Sequence, residues 1–282
     1  ATTEIYTYDA NGNRTSAPNL TGTAVYDAQD RLNAYGATTF TYTAAGELAT
    51  KTDGSDTTAY EYDALGNLRS VTLPGSSGTI EYAIDGQSRR IGRTHGTSVQ
   101  GFLYDGQLRI VAELDGDGDV VSRFVHGTQV NVPELMVRDG HTYRIITDHL
   151  GSVRLVVRAD TGDVAQRIAY DEFGHPALAS GTWDLHPFGF AGGHRDAQTA
   201  LLRFALRDFD PATGRWLAKD SLLFDSQDPN LYRYAYGDPV NFIDPGGATP
   251  ILATIAANPA GKAVPPVVKP IGEGEVIGGM VG

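Results

Sequence analysis

The chain has 282 residues, of which 34 are glycine, 14 are tyrosine and none is cysteine, and its formal net charge is −12. The glycines follow no triplet period, which excludes collagen, and a hydrophobic fraction of 41% with patterned aromatic residues excludes a wholly disordered chain. Without cysteine there are no disulfides, zinc–thiolate sites or cysteine nucleophiles. The acidic charge and the lack of a long apolar run lead us to expect no nucleic-acid partner and no membrane span.

A tyrosine followed by a polar turn recurs along the first part of the chain. The anchors are spaced 18, 16, 20, 20 and 22 residues apart and lie at Tyr8, Tyr26, Tyr42, Tyr62, Tyr82 and Tyr104. Apolar residues alternate before most anchors, as at Tyr60 and Tyr62, and a period of two places such pairs on one face of a strand. The turn combines an Asp that caps its own backbone with a Gly that accepts positive φ. Each unit is predicted to be two short strands and two turns.

The candidate metal motif is a run of aspartates in the middle of the chain. Asp115, Asp117 and Asp119 have the one-three-five spacing of a calcium loop, but positions six and twelve are Val120 and His126 instead of Gly and Glu. We therefore predict a solvated hairpin turn there. The seven histidines show no spacing suited to one metal site, and no known hydrolase, zinc-protease or phosphate-loop motif is present. We expect neither a metal nor a cofactor.

Several motifs in chain order resemble those of one family. Tyr62-Asp-Ala-Leu-Gly-Asn-Leu68 resembles the YD repeat of RHS proteins, teneurins and the C subunits of insecticidal Tc toxins. Later segments resemble the RHS-associated core domain, notably Arg207-Asp-Phe-Asp-Pro-Ala-Thr-Gly-Arg-Trp216 and Asp238-Pro-Val-Asn-Phe-Ile-Asp-Pro-Gly-Gly247. The resemblance covers residues 1–247. It implies an all-β fold, in which a spiralling ribbon of hairpins forms part of a hollow shell and the core domain curls inward as a plug. Such closure also pairs strand edges that would otherwise aggregate.

The resemblance also implies a domain organisation and a function. YD/RHS repeats would occupy residues 1–145, the core domain 146–247, and a linker toward a C-terminal effector 248–282, so we expect a piece of a longer protein. The module would encapsulate its own C-terminal toxin domain, with a secretion-system or carrier protein and an immunity protein as further partners, in a secreted or cell-surface protein. The alternative is a cell-surface YD-repeat protein that binds carbohydrate or mediates adhesion through exposed Tyr and Trp.

One motif near the end of the core resembles the family's self-cleavage signature. It consists of Pro239, Asp244, Pro245, Gly246 and Gly247. The resemblance implies an aspartyl-type cut of the chain by itself, in a single turnover, after Gly247 or Ala248. The alternative is that Asp244 and Pro245 form only a turn.

Aspartyl-type cleavage requires a second carboxylate, because one group must activate water while another protonates the leaving amine. Asp220 stands at the position of a second aspartate of the family and is the predicted partner of Asp244. Arg215 and Lys219 lie close to Asp220 in sequence and are candidates to orient the pair. Beyond this reaction we expect no conventional enzyme activity in the chain.

Overall fold

The computed structural model describes residues 5–18 and 20–253 and consists almost entirely of β-strands. The strands are β1 (Thr7–Tyr8), β2 (Arg14–Ser16), β3 (Ala24–Tyr26), β4 (Leu32–Tyr35), β5 (Thr38–Tyr42), β6 (Leu48–Asp53), β7 (Asp56–Tyr62), β8 (Leu68–Thr72), β9 (Thr79–Ile84), β10 (Arg90–His95), β11 (Ser98–Asp105), β12 (Arg109–Leu114), β13 (Val120–Val125), β14 (Leu135–Arg138), β15 (His141–Thr147), β16 (Val153–Arg158), β17 (Val164–Tyr170), β18 (Pro176–Ser180), β19 (His194–Arg195), β20 (Leu202–Phe204), β21 (Arg207–Asp210), β22 (Arg215–Trp216), β23 (Phe242–Ile243) and β24 (Ile251–Leu252). Single 3₁₀ turns lie at Trp183–Leu185, Phe190–Gly192, Leu223–Ser226 and Ala235–Gly237.

Sixteen consecutive strands, β3 to β18, form one antiparallel sheet in which each strand pairs with its neighbours in the chain. Most connections are short hairpin turns and the longest, residues 126–134, joins β13 to β14, so the sheet is a continuous meander. Its last strand ends at Ser180. The domain boundary predicted between residues 145 and 146 falls inside β15 and stays a prediction. No helix in the described part of the chain has the length and apolar character needed to cross a membrane.

Seven hairpin turns that begin with an aspartate share one hydrogen-bonding pattern. In the turn after β7, Oδ1 of Asp63 accepts the backbone N–H groups of Leu65 and Asn67 at 2.9 and 3.0 Å. The Asp63 carbonyl accepts the N–H of Gly66 at 3.0 Å, and Gly66 has a φ of +81°. The same two bonds to residues two and four positions ahead are made by Asp9, Asp27, Asp85, Asp115, Asp148 and Asp171. The predicted Asp–Gly turns are confirmed, including the hairpin turn at Asp115.

The anchor tyrosines face the inside of the ribbon and bind earlier strands. The anchor Tyr82 is buried in a cluster with Tyr60, Leu68, Val71 and Ile80, and the anchor Tyr62 packs against that cluster. Three other anchors donate their hydroxyls to backbone carbonyls on an earlier strand: Tyr26 to Arg14, Tyr42 to Leu32 and Tyr104 to Arg90, at 2.8, 3.2 and 2.9 Å. Each ring therefore fills the inner face and also satisfies a polar group there.

The chain after β18 packs against this inner face. Leu201 and Leu217 join the cluster that contains Tyr60, and Phe188 joins a second cluster with Phe124 and Met136. We call residues 183–253 the plug. The ribbon bends around it, since the ring of Tyr6 at one end lies 5.3 Å from the ring of Phe173 at the other. The predicted all-β shell arc with an inward plug is confirmed.

Buried ion pairs join the plug to the ribbon. Asp208 of β21 binds Arg90 of β10 through Oδ1 and Arg203 of β20 through Oδ2, both at 2.8 Å. A second pair joins Arg93 to Asp196 at 2.7 Å. All five side chains are less than 10% exposed. Because buried charges are stable only when paired, these contacts also select the orientation of the plug.

Two glycines of the repeat turns test the role of positive φ. Gly66 has φ of +81° and Gly86 does not lie in the left-handed region, yet both have room for a Cβ, the nearest atom to Gly66 being 3.7 Å away. Gly66→Ala should destabilise the fold by about 1 kcal/mol, whereas Gly86→Ala should be neutral or stabilising by about 0.5 kcal/mol. Urea denaturation of both variants measures this. Equal midpoints would contradict the turn assignment.

The pairing of Asp208 can be tested in the same way. Asp208→Asn should lower the free energy of unfolding by about 3–5 kcal/mol, because it leaves Arg90 and Arg203 buried without a countercharge. The control is Asp160→Asn, which removes an exposed ion pair to Arg158 of 2.7 Å and should not shift the urea midpoint measurably. A midpoint for Asp208→Asn close to that of the control would show that the buried pairs do not hold the plug.

Candidate functional site

Asp244 lies in the turn that follows β23 and is completely buried. Its carbonyl accepts the N–H of Gly247 at 3.1 Å, and its Oδ1 accepts those of Ala248 and Thr249 at 3.0 and 3.2 Å. Gly247 has φ of +66°, and a Cβ there would lie 2.3 Å from the carbonyl oxygen of Phe204. The motif therefore does form an Asp–Gly turn resembling those of the repeats, but inside the plug and not on the surface.

Asp220 is brought to the same place by the segment after β22. Its backbone N–H donates to the carbonyl of Leu231 at 3.0 Å, and its Oδ1 accepts the N–H of Leu222 at 2.8 Å. These bonds leave Oδ2 directed at a neighbouring guanidinium. Asp220 is 6% exposed, so both predicted carboxylates are shielded from bulk water.

Arg207 of β21 joins the two carboxylates. Its Nη2 lies 2.8 Å from Oδ2 of Asp220 and 3.3 Å from Oδ2 of Asp244. The guanidinium stacks 4.2 Å from the ring centre of Trp216 on β22, which fixes its plane. Asp220 and Asp244, which are separated by 24 positions in the sequence, therefore share one nitrogen atom.

Burial governs the protonation of this group. It raises the pKa of Asp244, and the negative charge of Asp220 adds to that increase while Arg207 opposes it. Burial also raises the pKa of Asp220 above its ordinary value against the effect of Arg207. Two coupled carboxylates with raised pKa values are able to hold one proton between them at a higher pH than isolated aspartates.

The same groups hold both sides of one peptide bond. Nε of Arg207 donates to the carbonyl oxygen of Gly247 at 2.5 Å, and the N–H of Ala248 donates to Oδ1 of Asp244 at 3.0 Å. A guanidinium at a carbonyl oxygen stabilises negative charge that develops there, and a carboxyl group within hydrogen-bond distance of a nitrogen is close enough to exchange a proton with it. The peptide bond between Gly247 and Ala248 thus has Arg207 at its carbonyl oxygen and Asp244 at its nitrogen.

The two cations predicted from sequence lie elsewhere. Arg215 donates to Oδ1 of Asn13 at 2.9 Å and stacks 4.9 Å from the ring centre of Tyr26, so it ties the plug to the first hairpins. Lys219 packs beside Gly46 and forms no ion pair with a described carboxylate. Sequence reasoning missed Arg207 because it precedes Asp220 by 13 positions, and only the hairpin of β21 and β22 brings them together.

The remaining motif residues support the turn. Pro239 and Pro245 are buried, and the carbonyl of Gly246 accepts the N–H of Leu206 at 3.3 Å. After the Gly247–Ala248 bond, β24 pairs with β23 through Ile251 and Ile243. The rest of the predicted linker, residues 254–282, lies outside the described residues. Across the described ranges no cluster of three or more His, Asp or Glu side chains could hold a metal ion.

Removing Arg207 should reveal its charge-balancing role. Arg207→Met should cost about 3–5 kcal/mol at pH 7, because two buried carboxylates lose their countercharge. The loss should be smaller at acidic pH than at pH 7, since the raised pKa values let the carboxyls take up protons and become neutral at a higher pH than ordinary aspartates. Urea midpoints at the two pH values measure the difference. A loss that does not depend on pH would mean that Arg207 acts through packing alone.

Comparison with known proteins gives three relatives, each of which matches about half of this chain. The chain is 30% identical over 144 residues to Salivary gland surface protein 1 of Aedes aegypti, covering 49% of this chain and 4% of that protein. It is 27% identical over 128 residues to Teneurin-3 of Danio rerio, covering 44% and 5%, and 27% identical over 143 residues to the tRNA(Glu)-specific nuclease WapA of Bacillus subtilis subsp. natto, covering 49% and 6%. The chain thus spans only about a twentieth of these relatives.

Solved structures and a family model agree with the fold. A Tc holotoxin pore of Photorhabdus luminescens with a mutated TccC3 matches with a TM-score of 0.53 and 16% identity, over 88% of this chain and 17% of that one. TcdB2-TccC3 without its hypervariable C-terminal region matches with a TM-score of 0.52 and 17% identity, over 87% and 17%. Residues 1–240 match the model of the teneurin YD-shell. Since that match covers most of the chain, and the repeats, sheet and plug agree with it, the chain belongs to the teneurin YD-shell family, among the RHS/YD-repeat proteins.

Proposed function

We propose that this chain is the shell arc and plug of a toxin container, which encloses its own C-terminal segment and cuts itself between Gly247 and Ala248. The observation that carries the proposal is the shared guanidinium of Arg207, which contacts Asp220, Asp244 and the Gly247 carbonyl. A turn without further function would not need a second buried carboxylate and a buried cation. The nuclease WapA and the Tc holotoxin support a toxin context.

The proposed cleavage is a hydrolysis of the peptide bond between Gly247 and Ala248. Water attacks the Gly247 carbonyl carbon and loses a proton to the carboxylate of Asp220, and Arg207 stabilises the oxyanion through Nε–H. Asp244, in its protonated form, gives its proton to the Ala248 nitrogen as the C–N bond breaks. The products are the carboxyl group of Gly247 and the amino group of Ala248, and the proton of the pair ends on Asp220.

Self-cleavage does not require a cleft for a separate substrate. Asp244 already contacts the backbone nitrogen of Ala248, four residues further along, so the chain itself supplies the substrate at a high effective concentration. One cut removes the Gly247–Ala248 bond, so each chain reacts only once and the reaction is a single turnover. Burial of the plug also limits access for any other peptide.

The test is mass spectrometry of the full chain incubated between pH 4 and pH 8. We expect a fragment that ends at Gly247 and one that begins at Ala248. Asp244→Asn and Asp220→Asn should each slow the cut at least ~100-fold, because each removes the proton donor or acceptor. The matched control is Asp238→Asn, a turn aspartate that binds Asn241 at 3.0 Å and should cleave at the wild-type rate.

The outcomes separate the parts of the proposal. A wild-type chain that stays intact at every pH would defeat the cleavage claim. Cleavage that persists in Asp220→Asn would show that another group activates the water. The rate should have a maximum where the pair holds one proton, and the raised pKa values move that maximum to a higher pH than ordinary aspartates would give.

The enclosure of a toxin is tested by the coding sequence that follows Gly282. A container requires a short variable domain and then a small gene for an immunity protein, whereas an adhesion protein requires neither. The adhesion alternative depended on exposed aromatic residues for stacking on sugars. Within the described residues no tyrosine or tryptophan is exposed, and Trp216 is only 3% exposed, so the structure does not favour that alternative.

A further inference from the structure

A small cavity lies between the ribbon and the plug. It has a volume of about 30 Å³ and is lined by side chains that include Arg90, Arg203, His194, Gln107 and Pro245. This volume suits one or two bodies the size of a water molecule and excludes larger organic groups. Arg90, Arg203 and His194 are each less than 10% exposed.

The charges around the cavity do not balance. Arg89, Arg90 and Arg203 all line it. Arg89 pairs with Asp85 at 2.7 Å, whereas Arg90 and Arg203 share the single carboxylate of Asp208. Three guanidiniums therefore face two carboxylates, and one positive charge is left in a buried place. An uncompensated buried charge is costly, which favours a bound counterion.

Polar atoms of the same residues also lack partners. Nε of Arg90, Nε of Arg203 and Nδ1 of His194 are buried and have no hydrogen-bond partner among the described residues. Buried N–H groups normally have an acceptor. Two guanidinium groups that each retain an unused donor, beside a cavity with excess positive charge, are the surroundings expected of an anion.

We propose that this cavity binds one small monovalent anion of the size of chloride, which completes the charge balance between the ribbon and the plug. The ion would neutralise the excess charge of Arg90 and Arg203 without displacing Asp208. It would act as a structural ion that stabilises the docked plug. The proposal does not depend on cleavage, since none of the groups that contact the Gly247–Ala248 bond lines the cavity.

The first experiment measures the melting temperature of the full chain in sodium chloride and in sodium gluconate at equal ionic strength. Gluconate is too bulky for the cavity, so chloride should raise the melting temperature by about 2–5 °C. Gln107→Glu places a fixed carboxylate in the lining and should remove this chloride dependence. The control is Gln87→Glu, at the equivalent position of the preceding Asp-Gly-Gln turn and outside the cavity, which should keep it.

A bromide soak of wild-type crystals locates the ion directly. We expect an anomalous peak in the cavity beside Arg90 and Arg203. A cavity that holds only water, or equal melting temperatures in chloride and gluconate, would overturn the proposal. A chloride dependence that survives unchanged in Gln107→Glu would also overturn it, because the ion would then bind elsewhere.

Discussion

An aspartate side chain that accepts the N–H groups two and four residues ahead forms the turn on which the ribbon depends. The bonds of Asp63 to Leu65 and Asn67 recur in the same form at six other turns. Each turn reverses the chain within a few residues, so the next strand pairs with the last and the sheet grows by one hairpin at a time. Because the turn uses only local contacts, it forms the same way wherever the motif occurs.

The ribbon supplies a curved inner face, and charge decides how the plug is attached to it. Apolar packing of Leu201, Leu217 and Phe188 is non-directional and would tolerate several orientations. The pairs of Asp208 with Arg90 and of Asp196 with Arg93 exist in one orientation only. A misplaced plug would leave these charges buried and unpaired, at a cost of several kcal/mol.

The proposed cleavage site reuses the turn of the ribbon in a different environment. Asp63 is partly exposed and binds only the backbone of its own turn and the side chain of Asn67, whereas Asp244 is buried beside Arg207 and Asp220. The local hydrogen bonds are similar, but burial raises the pKa of Asp244 and the neighbouring groups hold a peptide bond against it. The difference in environment, and not the turn itself, is therefore why the pKa of Asp63 is lowered and the pKa of Asp244 is raised.

The sequence by itself predicted the repeat, the strand pairs, the turn chemistry and the two aspartates that we propose act in cleavage. These depend on contacts within a few residues, or on motifs in a known order, and so can be read along the chain. Only the tertiary structure decided that Arg207, and not Arg215 or Lys219, joins Asp220 to Asp244, and that Arg215 instead reaches Asn13. A guanidinium at the end of a long side chain can reach many positions, so proximity in sequence does not identify its partner. The packing of the plug inside the ribbon selects that partner, because every buried charge must find one at the same time.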